Sequence, residues 1–321
     1  MNSLPYTTRR NARSHFVTAR SLRHHVLQWG DEAMVTPTPT STPTPTPTRP
    51  ALVMLHGWMD VAASFQFVVD ALPTDRLVLA LDFRGFGLSD APAADSYWFP
   101  DYLGDLEAVL DSLLPDQQID LLGHSMGGNV AMLYAGIRPQ RVRKLINLEG
   151  FGLPTSVPAQ APKRYAQWLD ELKEPLELRS YDSLQAVASR LRKTNPLLPE
   201  DRALWLAQHW SRQTANADGS LGAFEILGDA AHKRVNPVLS QVPEVLEVWK
   251  QITAPVLWVE GDQTDVSRWW GTRYTKAEFH ERLSVVNSIP NQVEKRTLSP
   301  AGHMLHHDQP EALAALIEGF L

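Results

Sequence analysis

The sequence predicts an α/β chain: a mostly parallel central sheet flanked by helices, with a helical segment inserted late in the fold. Three observations carry that expectation. Short apolar runs alternate with helical patterns up to Leu148, as βαβ units require. The alternation stops from about Pro154 to Ile252 and resumes at Val256. A Gly-x-Ser-x-Gly stretch, Gly123 to Gly127, joins one predicted strand directly to a predicted helix.

Two short strand patterns open the chain, His15–Thr18 and His25–Trp29. Ala51–Leu55 is then a continuous apolar run, as expected of a strand buried on both faces. Leu77–Leu81, Ile119–Leu122, Leu145–Leu148 and Val256–Val259 read the same way. Helical patterns lie between them at Ser64–Leu72, Tyr102–Leu114 and Met126–Arg138, and a C-terminal helix is expected over Pro310–Leu321. Residues 1–153 and 253–321 thus form the expected core. Residues 154–252, rich in helix formers and carrying Trp168, Trp205, Trp210 and Trp249, form the expected helical lid over the strand ends. Residues 36–50 hold six of the 24 prolines in a Thr-Pro alternation, so an extended, solvated surface loop is expected there.

Composition narrows the function. The chain has 321 residues, 43% hydrophobic and 21% charged, enough apolar material for a sizeable core. With 30 Lys and Arg against 36 Asp and Glu, the net charge of −6 argues against a nucleic-acid partner. The absence of cysteine excludes a disulfide framework, a thiolate metal site and a cysteine nucleophile, and suits a reducing compartment. No apolar run is long enough to span a bilayer. Arg9, Arg10 and Arg13 are followed by a stretch repeatedly broken by Arg and His, so no signal-peptide core follows them and a cytoplasmic location is expected. Nothing in the sequence fixes the oligomeric state.

Ser125 is the candidate nucleophile. Small residues two before and two after a serine permit the tight strand-to-helix turn that lifts its hydroxyl above a sheet. A serine hydroxyl needs a base, and His303, in the loop before the C-terminal helix, is the candidate; His306 and His307 are rivals, and His124 is expected to pack elsewhere. The acid that orients the base has three candidates at strand ends: Glu149, Asp262 and Asp265. For the oxyanion hole, the backbone N–H groups of Trp58 and Met126 are expected to converge, with Gly57 allowing close approach.

With these residues in hand, the chain resembles the α/β-hydrolase fold family, in particular its lidded serine hydrolases. The matching stretches are His56-Gly57-Trp58, Asp82 to Ser89, Gly123 to Gly128, and Gly302-His303 followed by His306 to Glu311, in the family's order. The resemblance implies Ser125 as nucleophile, His303 as base, and a structural turn at Asp82–Ser89. Members commonly place the acid three residues after the glycine ending the seventh strand, which here is Thr264. A one-residue bulge would bring in Asp265, the expected acid; Glu149 ends the preceding strand, where some members carry theirs. A serine at position 125 departs from the aspartate nucleophile of the family's dehalogenases and epoxide hydrolases. The expectation is a carboxylic-ester or related acyl hydrolase that uses neither metal nor cofactor and takes a small-molecule substrate with an apolar portion. The alternatives are a C–C bond hydrolase, a haloperoxidase or perhydrolase-type member, and a catalytically silent ligand-binding member.

Overall fold

The computed structural model describes residues 6–31, 49–216, 218–286 and 292–321. Most of the Thr-Pro alternation, through Thr48, lies outside the described residues. Strands β1 (Arg13–Ala19), β2 (Leu22–Trp29), β3 (Leu52–Leu55), β4 (Val78–Leu81), β5 (Ile119–His124), β6 (Val142–Leu148), β10 (Val256–Gly261) and β11 (Val293–Leu298) form one sheet in the order β1-β2-β4-β3-β5-β6-β10-β11. The pairs β1–β2 and β2–β4 are antiparallel and the rest are parallel. Every residue of β3 and β4 is buried, the physical counterpart of their unbroken apolar runs.

Helices cover both faces. On one side α2 (Phe99–Leu113) and α3 (Met126–Ile137) pack Leu106, Val130 and Tyr134 into the core. On the other, α1 (Gln66–Ala71) and the C-terminal helix α11 (Pro310–Phe320) contribute Val68, Val69, Leu313 and Ile317. Strand β11 carries no apolar run to announce it. It is an edge strand whose sequence, Val-Glu-Lys-Arg-Thr-Leu, is charged and exposed at its centre.

The chain between β6 and β10 is not helical throughout. It holds α4 (Ala161–Glu171), α5 (Leu184–Thr194), α6 (Glu200–Trp210) and α7 (Val242–Trp249), and also an antiparallel sheet in the order β7-β9-β8. Those strands are β7 (Ser180–Tyr181), β8 (Ser211–Ala215) and β9 (Leu221–Ile226). β8 is short, polar and largely exposed, whereas β9 (Leu-Gly-Ala-Phe-Glu-Ile) is half-buried and lays Phe224 and Ile226 against the segment's own apolar cluster. The segment has its own small core of Val187, Leu191, Leu198, Ala203 and Leu206, completed by Phe67 from α1. It is tied to the Asp82–Ser89 turn by Gly87 N–H to the Leu227 carbonyl at 3.0 Å and Asp229 N–H to the Gly85 carbonyl at 2.7 Å. Asp82 holds that turn, accepting from Ala62 N–H at 2.6 Å and Leu88 N–H at 3.0 Å.

The last elements are single-turn α8 (Ser267–Trp270), α9 (Lys276–Leu283) and single-turn α10 (Leu305–Asp308). Among the described residues no helix is long and apolar enough to cross a membrane.

Candidate active site

Strand β5 ends at His124, and the turn into α3 puts Ser125 at φ 52°, ψ −115°, a left-handed conformation that costs a non-glycine residue free energy. The flanking glycines explain why the turn is possible. A Cβ at Gly123 would lie 2.2 Å from the Gly127 carbonyl oxygen, and one at Gly127 would lie 2.1 Å from that of Leu55. Neither position has room for a side chain.

His303 stands in the loop between β11 and α10. Its Nε2 is 2.9 Å from Ser125 Oγ, and its Nδ1 is 3.0 Å from Glu149 Oε2. With Nδ1–H donating to the carboxylate, Nε2 accepts from the serine hydroxyl. Three contacts fix the loop. His124 Nε2–H donates to the His303 carbonyl at 2.8 Å, Gly302 N–H donates to Asp308 at 2.8 Å, and Ala301 N–H donates to Asp262 at 2.9 Å. His124 is buried and packs, as expected; His306 and His307 are buried and turned away, toward Asp60.

The acid expected from the sequence is corrected by this geometry. Asp265 is exposed and accepts from Ser267 N–H at 3.0 Å and from Ser267 Oγ–H at 2.6 Å, in the turn that leads into α8. Asp262 serves the loop backbone and Ser299. No bulge brings either to His303; Thr264, at the family position, is buried beside the Glu149 carboxylate. Glu149 instead follows β6 directly, at φ 60°, and its other oxygen accepts from Gly261 N–H at 2.6 Å, locking it against the end of β10. The only signal in the sequence was its place immediately after an apolar strand and before Gly150, a signal Asp262 and Asp265 share in weaker form.

Burial sets the electrostatics. It raises the Glu149 carboxyl above the usual range, against the opposing Gly261 N–H, and it lowers the His303 imidazole below its ordinary value. The His303 imidazole is therefore neutral at pH 7, the state in which it can accept a proton.

The loop after β3 brings Gly57 against Ser125: a Cβ there would meet His124 Nδ1 at 2.9 Å and Ser125 Cβ at 3.3 Å. The N–H groups of Trp58 and Met126 have no acceptor among the described residues. Two cavities meet at Ser125 and His303. One, of about 560 Å³, is lined by Trp98, Phe99, Phe151 and Trp270; the other, of about 610 Å³, by Leu197, Leu198, Trp210 and Asp60. Trp58 and Trp269 line both. Trp269, with its ring 4.4 Å from that of His303, has no motif that would have singled it out in the sequence.

A fold of this topology, with a strained serine at a strand–helix turn and a histidine loop before the last helix, defines a class. A profile of the α/β hydrolase fold matches residues 50–310, and the chain belongs to that family. Among curated proteins it is 28% identical over 289 residues to a serine hydrolase-like protein of Danio rerio, covering 85% of this chain and 81% of the relative. It is also 28% identical over 208 residues to a cis-3-alkyl-4-alkyloxetan-2-one decarboxylase of Shewanella oneidensis, covering 61% of this chain and 64% of that one. Among solved structures, the thioesterase domain from the curacin biosynthetic pathway superimposes with a TM-score of 0.77 at 25% identity, covering 96% of this chain and 99% of that domain.

Proposed function

We propose that this protein is a serine hydrolase that cleaves a carboxylic ester or a related acyl bond through Ser125, His303 and Glu149. The observation that carries the reading is the unbroken relay Glu149 Oε2, His303 Nδ1, His303 Nε2, Ser125 Oγ, with both links within 3.0 Å. Ser125 Oγ attacks the carbonyl carbon while His303 takes its proton. The carbonyl oxygen becomes an oxyanion, which the free N–H groups of Trp58 and Met126 receive. His303 then gives the proton to the leaving alcohol or thiol, leaving an acyl-serine. Water, deprotonated by His303, attacks that ester, and the acid departs as the proton returns to Ser125.

The two cavities divide the substrate. The aromatic-lined one suits an apolar acyl or alcohol portion, and residues 154–252 act as a lid by supplying Arg164, Asn236 and Val238 to its wall and Leu197 and Leu198 to its neighbour. The thioesterase name of a structural neighbour is consistent with acyl chemistry at such a site.

The test is intact-mass analysis after incubation with a fluorophosphonate, with hydrolysis of a series of p-nitrophenyl esters measured alongside. One adduct on the wild type and none on Ser125→Ala, with ester turnover lost in the variant, is the expected result. No adduct together with no ester turnover would refute it.

A further inference from the structure

Behind the active site is a second cluster that the proposed hydrolysis does not use. Asp60, in the loop after β3, and His306 and His307, on α10, each present one ligand atom, and these atoms lie within 4.8 Å of one another. All three residues are buried: Asp60 is 3% exposed, His306 0% and His307 3%. Asp60 Oδ2, both ring nitrogens of His306 and Nε2 of His307 have no hydrogen-bond partner among the described residues. His306 Nε2 stands 3.8 Å from Asp60 Oδ2, too far for a hydrogen bond. Leaving a carboxylate oxygen and three imidazole nitrogens unpaired in the interior is costly, so a native fold supplies something for them to bind.

The other carboxylate oxygen is fully used. Trp210 Nε1–H donates to Asp60 Oδ1 at 3.0 Å, and the Ser64 hydroxyl donates to the same oxygen. These contacts orient Asp60 so that Oδ2 alone faces the histidines, the outer-shell arrangement that aims a ligating carboxylate. One oxygen and imidazole nitrogens from two residues suit a divalent transition cation, whose bonds to such ligands are about 2.0–2.2 Å. Calcium and magnesium prefer oxygen ligands throughout. Asp60 and His307 also line the larger cavity, which gives an ion a route in and leaves an open coordination position for water.

We propose that Asp60, His306 and His307 form a binding site for one divalent transition cation of the zinc type. The site is separate from the Ser125–His303–Glu149 relay but mechanically linked to it. The His306 ring lies 4.3 Å from that of His124, whose Nε2–H holds the His303 carbonyl. An ion there anchors the loop that carries His303.

Full-length protein stripped with a chelator and titrated with Co²⁺ tests the site. The expected result is one saturable equivalent with visible ligand-field absorption and a raised melting temperature. Binding should weaken ~10-fold or more in His306→Gln and in Asp60→Asn, as loss of a ligand requires, and stay unchanged in Asp265→Asn. Absence of a saturable visible band, or a band unaltered in both ligand variants, overturns the proposal. X-ray absorption on zinc-loaded wild type decides even where those variants fail to fold. Two imidazoles with a carboxylate support the site, and any other imidazole count overturns it.

Discussion

Glu149 and His303 are 154 positions apart in the chain, yet Glu149 Oε2 and His303 Nδ1 lie 3.0 Å apart. What brings them together is the pairing of β6 with β10. Glu149 continues β6, donating its N–H to the Val259 carbonyl at 3.1 Å, and its side chain is pinned by Gly261 N–H at the end of β10. Those contacts direct the carboxylate across the sheet end toward the His303 loop.

That relationship separates two variants. Glu149→Gln should lower kcat by about 10³–10⁴-fold, because an amide cannot hold the histidine tautomer or stabilise the imidazolium. Asp265→Asn, at an exposed turn, should change kcat by no more than about twofold. Steady-state hydrolysis of one p-nitrophenyl ester by both variants checks this. The reverse order would restore Asp265 as the acid.

The pH profile follows from the burial of His303. The base works only when neutral, and its pKa is lowered below the ordinary 6.5, so activity is present above the lowered value and lost as pH falls through it. The acid limb of kcat/KM should therefore lie below pH 6.5, reporting the Glu149–His303 pair as a unit. Trp269→Ala opens the base to water and should move that limb upward. A limb that does not shift would mean that Trp269 does not shield the imidazole.

Gly57→Ala should reduce kcat by about 10²-fold or more, the scale of a lost oxyanion donor. The added methyl would meet His124 Nδ1 at 2.9 Å and Ser125 Cβ at 3.3 Å, displacing the loop that carries Trp58 N–H. Fluorophosphonate labelling rate and ester kcat should fall together while the melting temperature changes little. A large fall in melting temperature would assign Gly57 to folding instead.

Stability rests on a different carboxylate. Asp105 on α2 is fully buried and accepts from Arg84 Nε and Nη2, each at 2.5 Å, and from Arg20 Nη1 at 3.0 Å. Asp105→Asn leaves the buried Arg84 guanidinium with only the partly exposed Asp101, at 3.2 Å, as counter-charge and should cost about 3 kcal/mol. Urea unfolding followed by circular dichroism measures this, and a loss under about 1 kcal/mol would show that solvent replaces the carboxylate.

The sequence by itself determined what depends on neighbouring residues. The apolar runs of β3, β4, β5, β6 and β10 were legible because strands buried on both faces carry mostly apolar side chains. The turn at Ser125 was legible because Gly123 and Gly127 leave no room for a Cβ. The polar strands β8 and β11 were not legible, since no apolar periodicity marks them, and β9 is a short apolar stretch set in a segment rich in helix formers. Nor was the partner of His303. Glu149, Asp262 and Asp265 all follow strands, and local sequence does not say which of them reaches His303. Only the tertiary structure decided between them, because which carboxylate reaches the imidazole depends on which strand ends lie side by side. The same holds for Asp60 and the His306–His307 pair, brought together by packing between segments that no local pattern connects.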